Sequence, residues 1–288
     1  MSPNTLGALL MMASMACFTA NDALVKIIGS DLPLMQLLLL RGLLTTAIIY
    51  IVARRLNGLR FDVSPKDRGL IALRSGAEVL TAFFFLQALI HLPLANATAI
   101  LQVLPLTVSL GAAIFLGEKL GWRRLVAILV GFLGMLLIVR PGPDGFSIWS
   151  IYAVIAVFGV TLRDLATRRL SADVPSMTVT LAAAVAIVVF SAVGSLGTDW
   201  QPMTPRLGAL IVGAAVFVLG GYYFSVQVMR VGDIAAIAPF RYTSLVCALI
   251  IGWLVFGDWP DPITLVGAAI VVATGLFTLY RERVSRGS

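Results

Sequence analysis

The sequence predicts an all-α integral membrane protein of ten transmembrane helices, arranged as two five-helix repeats of inverted topology. Composition, the recurrence of long apolar runs and a match between the two halves of the chain lead to this fold class. The chain is 59% hydrophobic and 12% charged, against roughly 25% charged for a soluble domain. A water-soluble fold of 288 residues could not bury that much apolar surface. A bilayer accommodates it because lipid replaces water as the solvent.

Apolar runs of the length needed to cross a bilayer recur along the whole chain. A helix needs about 20 residues to cross ~30 Å of hydrocarbon. We predict spans at 6–28, 33–53, 70–90, 94–116, 123–139, 147–168, 176–196, 207–229, 234–256 and 263–280. The first run is too long for a signal peptide and has no Lys or Arg before it, so we expect it to stay in the protein.

The charges in the loops predict the orientation of these spans. With a cytoplasmic N-terminus, the cytoplasmic loops hold Arg54, Arg55, Arg60, Lys66, Arg68, Lys119, Arg123, Arg124, Arg168, Arg169, Arg230, Arg281, Arg283 and Arg286. The other side holds little beyond Lys26, Arg140 and Arg206. This asymmetry follows the positive-inside rule and places both termini in the cytoplasm. The net charge of +7 is therefore a topology signal, and we expect no nucleic-acid partner.

The two halves of the chain resemble each other. In one alignment register, called the first register, Asp22 matches Asp164, Lys26 matches Arg168, and Asp31-x-Pro33 matches Asp173-x-Pro175. In a second register, shifted slightly from the first, Gln87 matches Gln227 and Gly117 matches Gly257. Each half has an odd number of spans, so the second half enters the membrane from the other side. This predicts two repeats, residues 1–140 and 141–288.

Two short turns extend this match to a known family. Gly117-Glu118 and Gly257-Asp258 each precede the last, glycine-rich helix of a half. Together with the ten spans, they resemble the EamA-type proteins of the drug/metabolite transporter superfamily, from about Leu6 to Tyr280. The resemblance implies secondary transport of small metabolites by alternating access, without a cofactor. It favours amino-acid export across the bacterial inner membrane, with uptake of riboflavin, S-adenosylmethionine or a similar metabolite as the alternative.

Charged residues inside the spans are the candidate gates. An ionisable side chain in hydrocarbon costs roughly 2.5–3.5 kcal/mol, so it usually faces a partner or a wet cavity. Asp22 and Lys26 are spaced by one helical turn and share a helix face, and Asp164 and Arg168 repeat this spacing. Each pair is either part of a gate at one side of a central cavity or a local ion pair that fixes a helix end.

Other polar residues in the spans are candidates for binding a substrate in that cavity. Glu78 lies about two turns into the third span, with Arg74 one turn away as a local partner. Glu78 either binds an ammonium group or carries a proton, or it is a structural partner. Arg163, in the sixth span, either binds a substrate carboxylate or anchors the cytoplasmic end of its helix.

The later spans supply aromatic and amide groups. Arg241 and Tyr242 follow Pro239, where a bent helix exposes carbonyl groups, and they can hold a carboxylate and an aromatic ring. Gln102 is placed similarly in the fourth span. Phe83, within a run of three phenylalanines, is the aromatic candidate of the third span. For each of these, packing or anchoring is the alternative.

Several classes of site and function are disfavoured. No Walker loop, H-E-x-x-H or G-x-S-x-G motif occurs. Cys17 and Cys247 lie in apolar runs and His91 is the only histidine, so we predict no disulfide framework and no metal site. An intramembrane enzyme for lipid-linked substrates and a receptor remain as alternatives. The partners expected are a small-molecule substrate and the bilayer; oligomeric state and proton coupling stay open.

Overall fold

Ten long apolar helices make up the fold. The computed structural model describes residues 3–55, 59–60, 62–117, 121–139, 147–228, 231 and 237–286, and within these residues it contains no β-strand. Ten helices in this part of the chain are long and apolar enough to cross a membrane, one for each predicted span. The predicted all-α membrane fold is thereby confirmed. Glu118, Lys119, Arg140 and Arg230, which entered the sequence argument, lie outside the described residues.

The helices begin and end close to the predicted boundaries. They are α1 (Pro3–Gly29), α2 (Leu34–Arg55), α3 (Pro65–His91), α4 (Leu94–Leu101 and Leu104–Leu116), α5 (Trp122–Val139), α6 (Ile148–Arg168), α7 (Ser176–Gly194, followed by a 3₁₀ turn at Ser195–Gly197), α8 (Pro205–Val228), α9 (Ala238–Tyr242, Thr243–Ile251 and Gly252–Phe256) and α10 (Pro262–Arg286).

Local sequence explains how the helices start and break. The hydroxyl of Ser64 accepts a hydrogen bond from the amide of Asp67 at 3.1 Å, and Pro65 follows as the first helical residue of α3. In α4, the proline at 105 cannot donate to the preceding turn, and the helix is interrupted just before it. The segment of α9 around Pro239 is a 3₁₀ turn, as the expected bend requires.

The two glycine turns predicted from the sequence have the same backbone conformation. Gly117 ends α4 with a φ of 71°, and Gly257 ends α9 with a φ of 70°. Both angles lie in the left-handed region, which glycine enters without the steric cost of a Cβ atom. The same cap thus ends the fourth helix of each half, at two positions that the second register of the sequence match aligns.

The helices pack mainly as antiparallel pairs, each joining one half of the chain to the other. The pairs are α1 with α8, α3 with α6, α2 with α7, and α5 with α10. Between α1 and α8, for example, the hydroxyl of Ser14 donates to the carbonyl of Gly221 at 2.8 Å. Replacing each helix by the one five places along the chain leaves this set of pairs unchanged.

The outer surface of the bundle is apolar. Trp122 at the start of α5 is 71% exposed, and Leu133 further along the same helix is 60% exposed. Exposed leucine, valine and phenylalanine side chains also cover the outer faces of α4, α7 and α8. Such a surface is stable against lipid tails and not against water.

Hydrogen bonds between the two halves lie at both ends of the bundle. We call the end at which α1 begins the N-terminal face, and the other end the opposite face. At the N-terminal face, the carboxylate of Asp67 accepts from the amide of Ser171 at 3.1 Å. At the opposite face, the amide side chain of Gln36 donates to the carbonyl of Gln201 at 2.8 Å and accepts from its amide at 2.9 Å.

Close contact between α5 and α10 depends on glycine. A β-carbon at Gly134 would lie 2.9 Å from the carbonyl oxygen of Gly267, so Gly134→Ala forces the helices apart. We expect this variant to lose about 1–3 kcal/mol of stability in detergent, as other overpacked cores do. The measurement is the midpoint of thermal unfolding. Gly76→Ala is the control, since a β-carbon there has nothing within 4 Å; an equal midpoint for the two variants would contradict the close contact.

Candidate functional site

A cavity of about 260 Å³ lies between helices of both halves. Its walls come from α1, α2, α3, α7 and α8, and on α3 the lining extends from Arg74 to Leu86. The lining residues are Phe18, Asn21, Asp22, Leu38, Arg41, Gly42, Thr45, Ile49, Arg74, Glu78, Thr81, Ala82, Phe85, Leu86, Thr180, Ala183, Ala184, Ile187, Val218 and Tyr222. The volume is slightly below the roughly 300–1,000 Å³ of pockets that hold drug-sized ligands, and it suits one small molecule.

Two positive and two negative side chains line this cavity. Asp22 and Glu78 carry carboxylates, and Arg41 and Arg74 carry guanidinium groups. With the four groups ionised, their formal charges cancel. Because an unbalanced charge at this depth is costly, the cavity is suited to a solute whose own charges also cancel.

Asn21 connects the first two of these charges. Nη1 of Arg41 donates to Oδ1 of Asn21 at 3.2 Å, and Nδ2 of Asn21 donates to Oδ1 of Asp22 at 3.0 Å. Arg41 and Asp22 also attract each other electrostatically. The three side chains thus form one polar chain from α2 to α1, with the carboxylate at its end.

Glu78 meets its counter-ion on a helix of the other half. Nη1 of Arg163 lies 3.5 Å from both carboxylate oxygens of Glu78. The same guanidinium binds the neighbouring Asp164 more closely, at 3.0 Å through Nε and 2.9 Å through Nη2. Arg163 therefore joins α6 to α3 through Glu78, while Asp164 holds the guanidinium from its own helix.

Arg74, the partner predicted for Glu78, makes its hydrogen bonds elsewhere. Its Nε donates to the hydroxyl of Thr167 at 3.1 Å, and its Nη1 to the carbonyl of Val179 at 3.5 Å. The expected local pair within α3 was wrong because the antiparallel packing of α6 brings a second arginine, Arg163, closer to the carboxylate.

Tyr222 of α8 is the polar aromatic side chain of the cavity. Its ring packs edge-to-face on Phe18, with 5.3 Å between centroids and 86° between planes. The residue is 45% exposed and lines the cavity.

Five of the six predicted binding residues lie outside the lining of this cavity, Arg163 among them. Gln102 is buried and donates from Nε2 to the hydroxyl of Ser244 at 2.8 Å, so it joins α4 to α9. Arg241 is exposed. Tyr242 is buried, and its hydroxyl packs against Gly275. Phe83 packs edge-to-face on other phenylalanine rings, and Phe85, two residues further along α3 and on another face, lines the cavity instead.

The ion pair expected between Asp22 and Lys26 was also wrong. Among the described residues, the structure contains no salt bridge between them. The ammonium group of Lys26 donates to the carbonyls at the end of α3: those of Leu89 at 3.1 Å, Ile90 at 3.2 Å and Leu92 at 2.6 Å. Carbonyls at a helix end have no partner within the helix, so they attract a nearby cation.

The remaining gate candidates lie near the N-terminal face. Asp164 is half-buried and pairs with Arg163. Arg168, one turn further along α6, is exposed. Within the described residues, no group of three or more His, Cys, Asp or Glu side chains is placed to hold a metal ion.

Comparison with known proteins identifies the family. Residues 5–140 match the EamA-like transporter family, and residues 147–280 match it a second time. The chain belongs to the EamA-like transporter family. This membership confirms the resemblance stated from the sequence, and it makes the chain a multi-pass membrane protein of the drug/metabolite transporter type.

Several relatives of this EamA protein carry names of transporters. An S-adenosylmethionine uptake transporter of Rickettsia bellii is 26% identical over 94% of this chain and 92% of its own length. The pseudopaline exporter CntI of Pseudomonas aeruginosa is 29% identical, over 92% and 93%. A riboflavin transporter of Vibrio cholerae is 30% identical, over 80% and 78%. These names point to small-metabolite transport and not to an enzyme.

One solved crystal structure has a similar fold. It covers 96% of this chain and 98% of its own, with a TM-score of 0.65 and 19% sequence identity. At this identity the likeness concerns the fold alone. It agrees with a bundle whose helices follow the same order along nearly the whole chain.

Sequence reasoning missed several of the residues that the fold brings into the cavity. Asn21 and Thr45 are short polar side chains within apolar runs, and spacing alone does not show which helix they face. Tyr222 is one of two adjacent tyrosines, which point in different directions around the helix. A helical wheel of α2 would have grouped Arg41 with Thr45, one turn away.

The Glu78–Arg163–Asp164 cluster predicts an order of stabilities. Arg163→Met removes the counter-ion of two carboxylates and should lower the melting temperature by on the order of 5 °C, since removing one partner of a buried pair is strongly destabilising. Glu78→Gln leaves Arg163 paired with Asp164 and should lower it less. The double variant Arg163→Met/Glu78→Gln should melt above Arg163→Met alone. Equal melting temperatures for all three, measured in detergent, would mean that the cluster is not a coupled set of charges.

Proposed function

We propose that this EamA protein is a secondary transporter that exports zwitterionic metabolites, above all amino acids, across the bacterial inner membrane by alternating access. The observation that carries the proposal is the charge-balanced cavity between helices of both halves. A free amino acid carries one carboxylate and one ammonium group, so it matches a site that presents both signs. The cavity volume of about 260 Å³ also favours an amino acid over a molecule as large as a flavin.

Alternating access requires two halves that can exchange roles, and several features support such an inverted repeat of residues 1–140 and 141–288. In the first register of the sequence match, the first residue of α2 coincides with the first residue of α7. In the second register, the first residues of α3 and α5 coincide with those of α8 and α10, and the two glycine caps coincide as well. The family matches the chain twice, in ranges that fit these halves.

Orientation follows from the loop charges. We place both termini and the N-terminal face in the cytoplasm, because this face carries most of the arginine and lysine residues of the loops. Export is proposed as the direction, as in the name of the Pseudomonas relative; the Rickettsia relatives, which are named for uptake, make import the alternative.

The gates of the proposed cycle are cations at the ends of α1 and α6. At the opposite face, Lys26 reaches from α1 to the end of α3, and it also lies over the ring of Phe256 at the end of α9, 5.5 Å from the centroid. At the N-terminal face, Arg169 at the end of α6 donates to the carbonyl of Phe115 at the end of α4. Arg169 directly follows Arg168, the predicted gate cation.

Asp22 and Asp164 stay gate candidates in this proposal for a different reason than their spacing. Each carboxylate lies beside a polar neighbour at the preceding position, Asn21 or Arg163. Each neighbour in turn connects to a side chain of another helix, Arg41 in one case and Glu78 in the other. A movement of α1 or α6 would therefore change the contacts of Arg41 or Glu78.

Flux through proteoliposomes tests this function. We expect the purified protein to exchange radiolabelled leucine for unlabelled leucine, and Glu78→Gln to lower the initial rate about tenfold or more, because a hydrogen bond to a charged group is worth roughly 1.5–3 kcal/mol. Asp199→Asn, at an exposed aspartate, is the control. Repeating the assay with an imposed pH gradient separates proton coupling from facilitated diffusion.

No exchange of any amino acid by the wild-type protein would rule the proposal out. Chemical conversion of the solute without flux would instead support the intramembrane enzyme. Wild-type rates in Glu78→Gln, with and without the gradient, would remove Glu78 from the binding site.

A further inference from the structure

Equivalent positions of the two halves line the same cavity. Applying the first register of the sequence match to α2 and the second register to α3 gives a set of equivalent pairs within the lining. They are Leu38 and Thr180, Arg41 and Ala183, Gly42 and Ala184, Thr45 and Ile187, Glu78 and Val218, and Ala82 and Tyr222. A cavity lined in this way lies on the axis that relates the two halves.

The chemistry of these pairs is unequal. Where the first half has Arg41 and Glu78, the second half has Ala183 and Val218. Next to Ala183, the second half adds Ala184 and Ile187, which leave α7 with an apolar wall beyond Thr180. The charges of the cavity therefore come from α1, α2 and α3, and α7 and α8 face them with alkyl groups and the ring of Tyr222.

We propose that the two halves divide the recognition of a zwitterion: Arg41 binds the carboxylate, Glu78 binds the ammonium group, and the wall of α7 and α8 binds an apolar side chain. This inference rests on the proposed function and specifies its substrate class as amino acids with apolar side chains. It also gives the bound molecule one orientation, with its charged end toward the first half and its side chain toward the second.

Arg41 uses fewer of its N–H donors within the described residues than Arg74 or Arg163 does. A guanidinium has five N–H groups, and within the described residues Arg41 uses one of them, toward Asn21. Arg163 uses three nitrogens on Glu78 and Asp164, and Arg74 uses two on Thr167 and Val179. Of these three, Arg41 can therefore offer the pair of parallel N–H groups that a carboxylate binds best.

Glu78 is the carboxylate placed for an ammonium group. Its two oxygens lie 3.5 Å from Arg163, at the outer limit of a hydrogen bond, so each oxygen can accept a closer donor. Tyr222 lines the same cavity as Glu78 and Arg41, but from α8, on the side of the second half. Its ring and hydroxyl thus mark the boundary between the charged end and the apolar end of the cavity.

The role of Arg41 is tested by binding of leucine and of isoamylamine, the same molecule without its carboxylate. Purified wild-type protein should bind leucine about tenfold or more tightly than the amine, because the carboxylate adds charge-assisted hydrogen bonds. In Arg41→Met the ratio should fall to about one. Arg54→Met, an exposed arginine on the same helix, should keep the wild-type ratio. Calorimetry in detergent gives the affinities.

The titration separates the assignment of Arg41 from the proposed function. A wild-type ratio in Arg41→Met overturns the assignment of the carboxylate to Arg41 and leaves the proposed function standing. No binding of leucine or any other amino acid by the wild type overturns the proposed function and this inference together. If Arg41→Met fails to fold, Arg41→Lys takes its place: it keeps the charge without the planar fork, and its ratio should fall below the wild-type value.

The apolar wall is tested by making it larger. Ala183→Leu fills space next to the side chain of the substrate, so it should shift preference from leucine toward alanine by roughly tenfold, the effect of one or two methylenes in an apolar pocket. Ala47→Leu, at an exposed position of α2, is the matched control. An unchanged ratio of leucine to alanine affinity in Ala183→Leu would show that the side chain does not contact α7.

Discussion

Arg163 is the counter-ion on which the rest of the site depends. It is placed on α6 but serves a carboxylate on α3, and these two helices form one of the antiparallel pairs that join the halves. With Asp164 on its other side, it lies between two carboxylates, one on each of these helices. A charge in hydrocarbon requires such a partner. The packing of α6 on α3 therefore also supplies the counter-ion of Glu78, a residue of the cavity lining.

The need to balance charges in the cavity also explains why the two halves contribute different side chains to its lining. If Ala183 and Val218 carried the same groups as Arg41 and Glu78, more charges would crowd around about 260 Å³. Each would need a counter-ion, and little space would be left for a solute. The second half avoids this with small and apolar side chains at the matching positions. In the proposed inverted repeat, the charged residues of the cavity thus lie on the side of the first half.

The sequence predicted the helices well and the contacts between them poorly, for a physical reason. Length and apolarity decide whether a segment spans a bilayer. All ten spans could therefore be placed from the apolar runs and from the charged, glycine and proline residues between them. Contacts depend on how helices rotate and pair. The spacing of Asp22 and Lys26 suggested a pair within α1, but the free carbonyls at the end of α3 offered Lys26 stronger acceptors. Likewise Gln102 faces Ser244 on α9, although its sequence position suggested the cavity.

The distribution of bond strengths fits the proposed rocking of the halves. Neutral hydrogen bonds such as those between Gln36 and Gln201 are worth about 0.5–1.5 kcal/mol each and can be exchanged for water when a face opens. The ionic contact of Arg163 with Glu78 joins α6 to α3, and removing one partner of such a pair costs more than exchanging a neutral hydrogen bond for water. A hinge needs contacts that persist, and gates need contacts that break. In the proposed cycle the contact between Glu78 and Arg163 persists beside the cavity and the neutral contacts at a face break, so a face can open while Glu78 keeps its counter-ion.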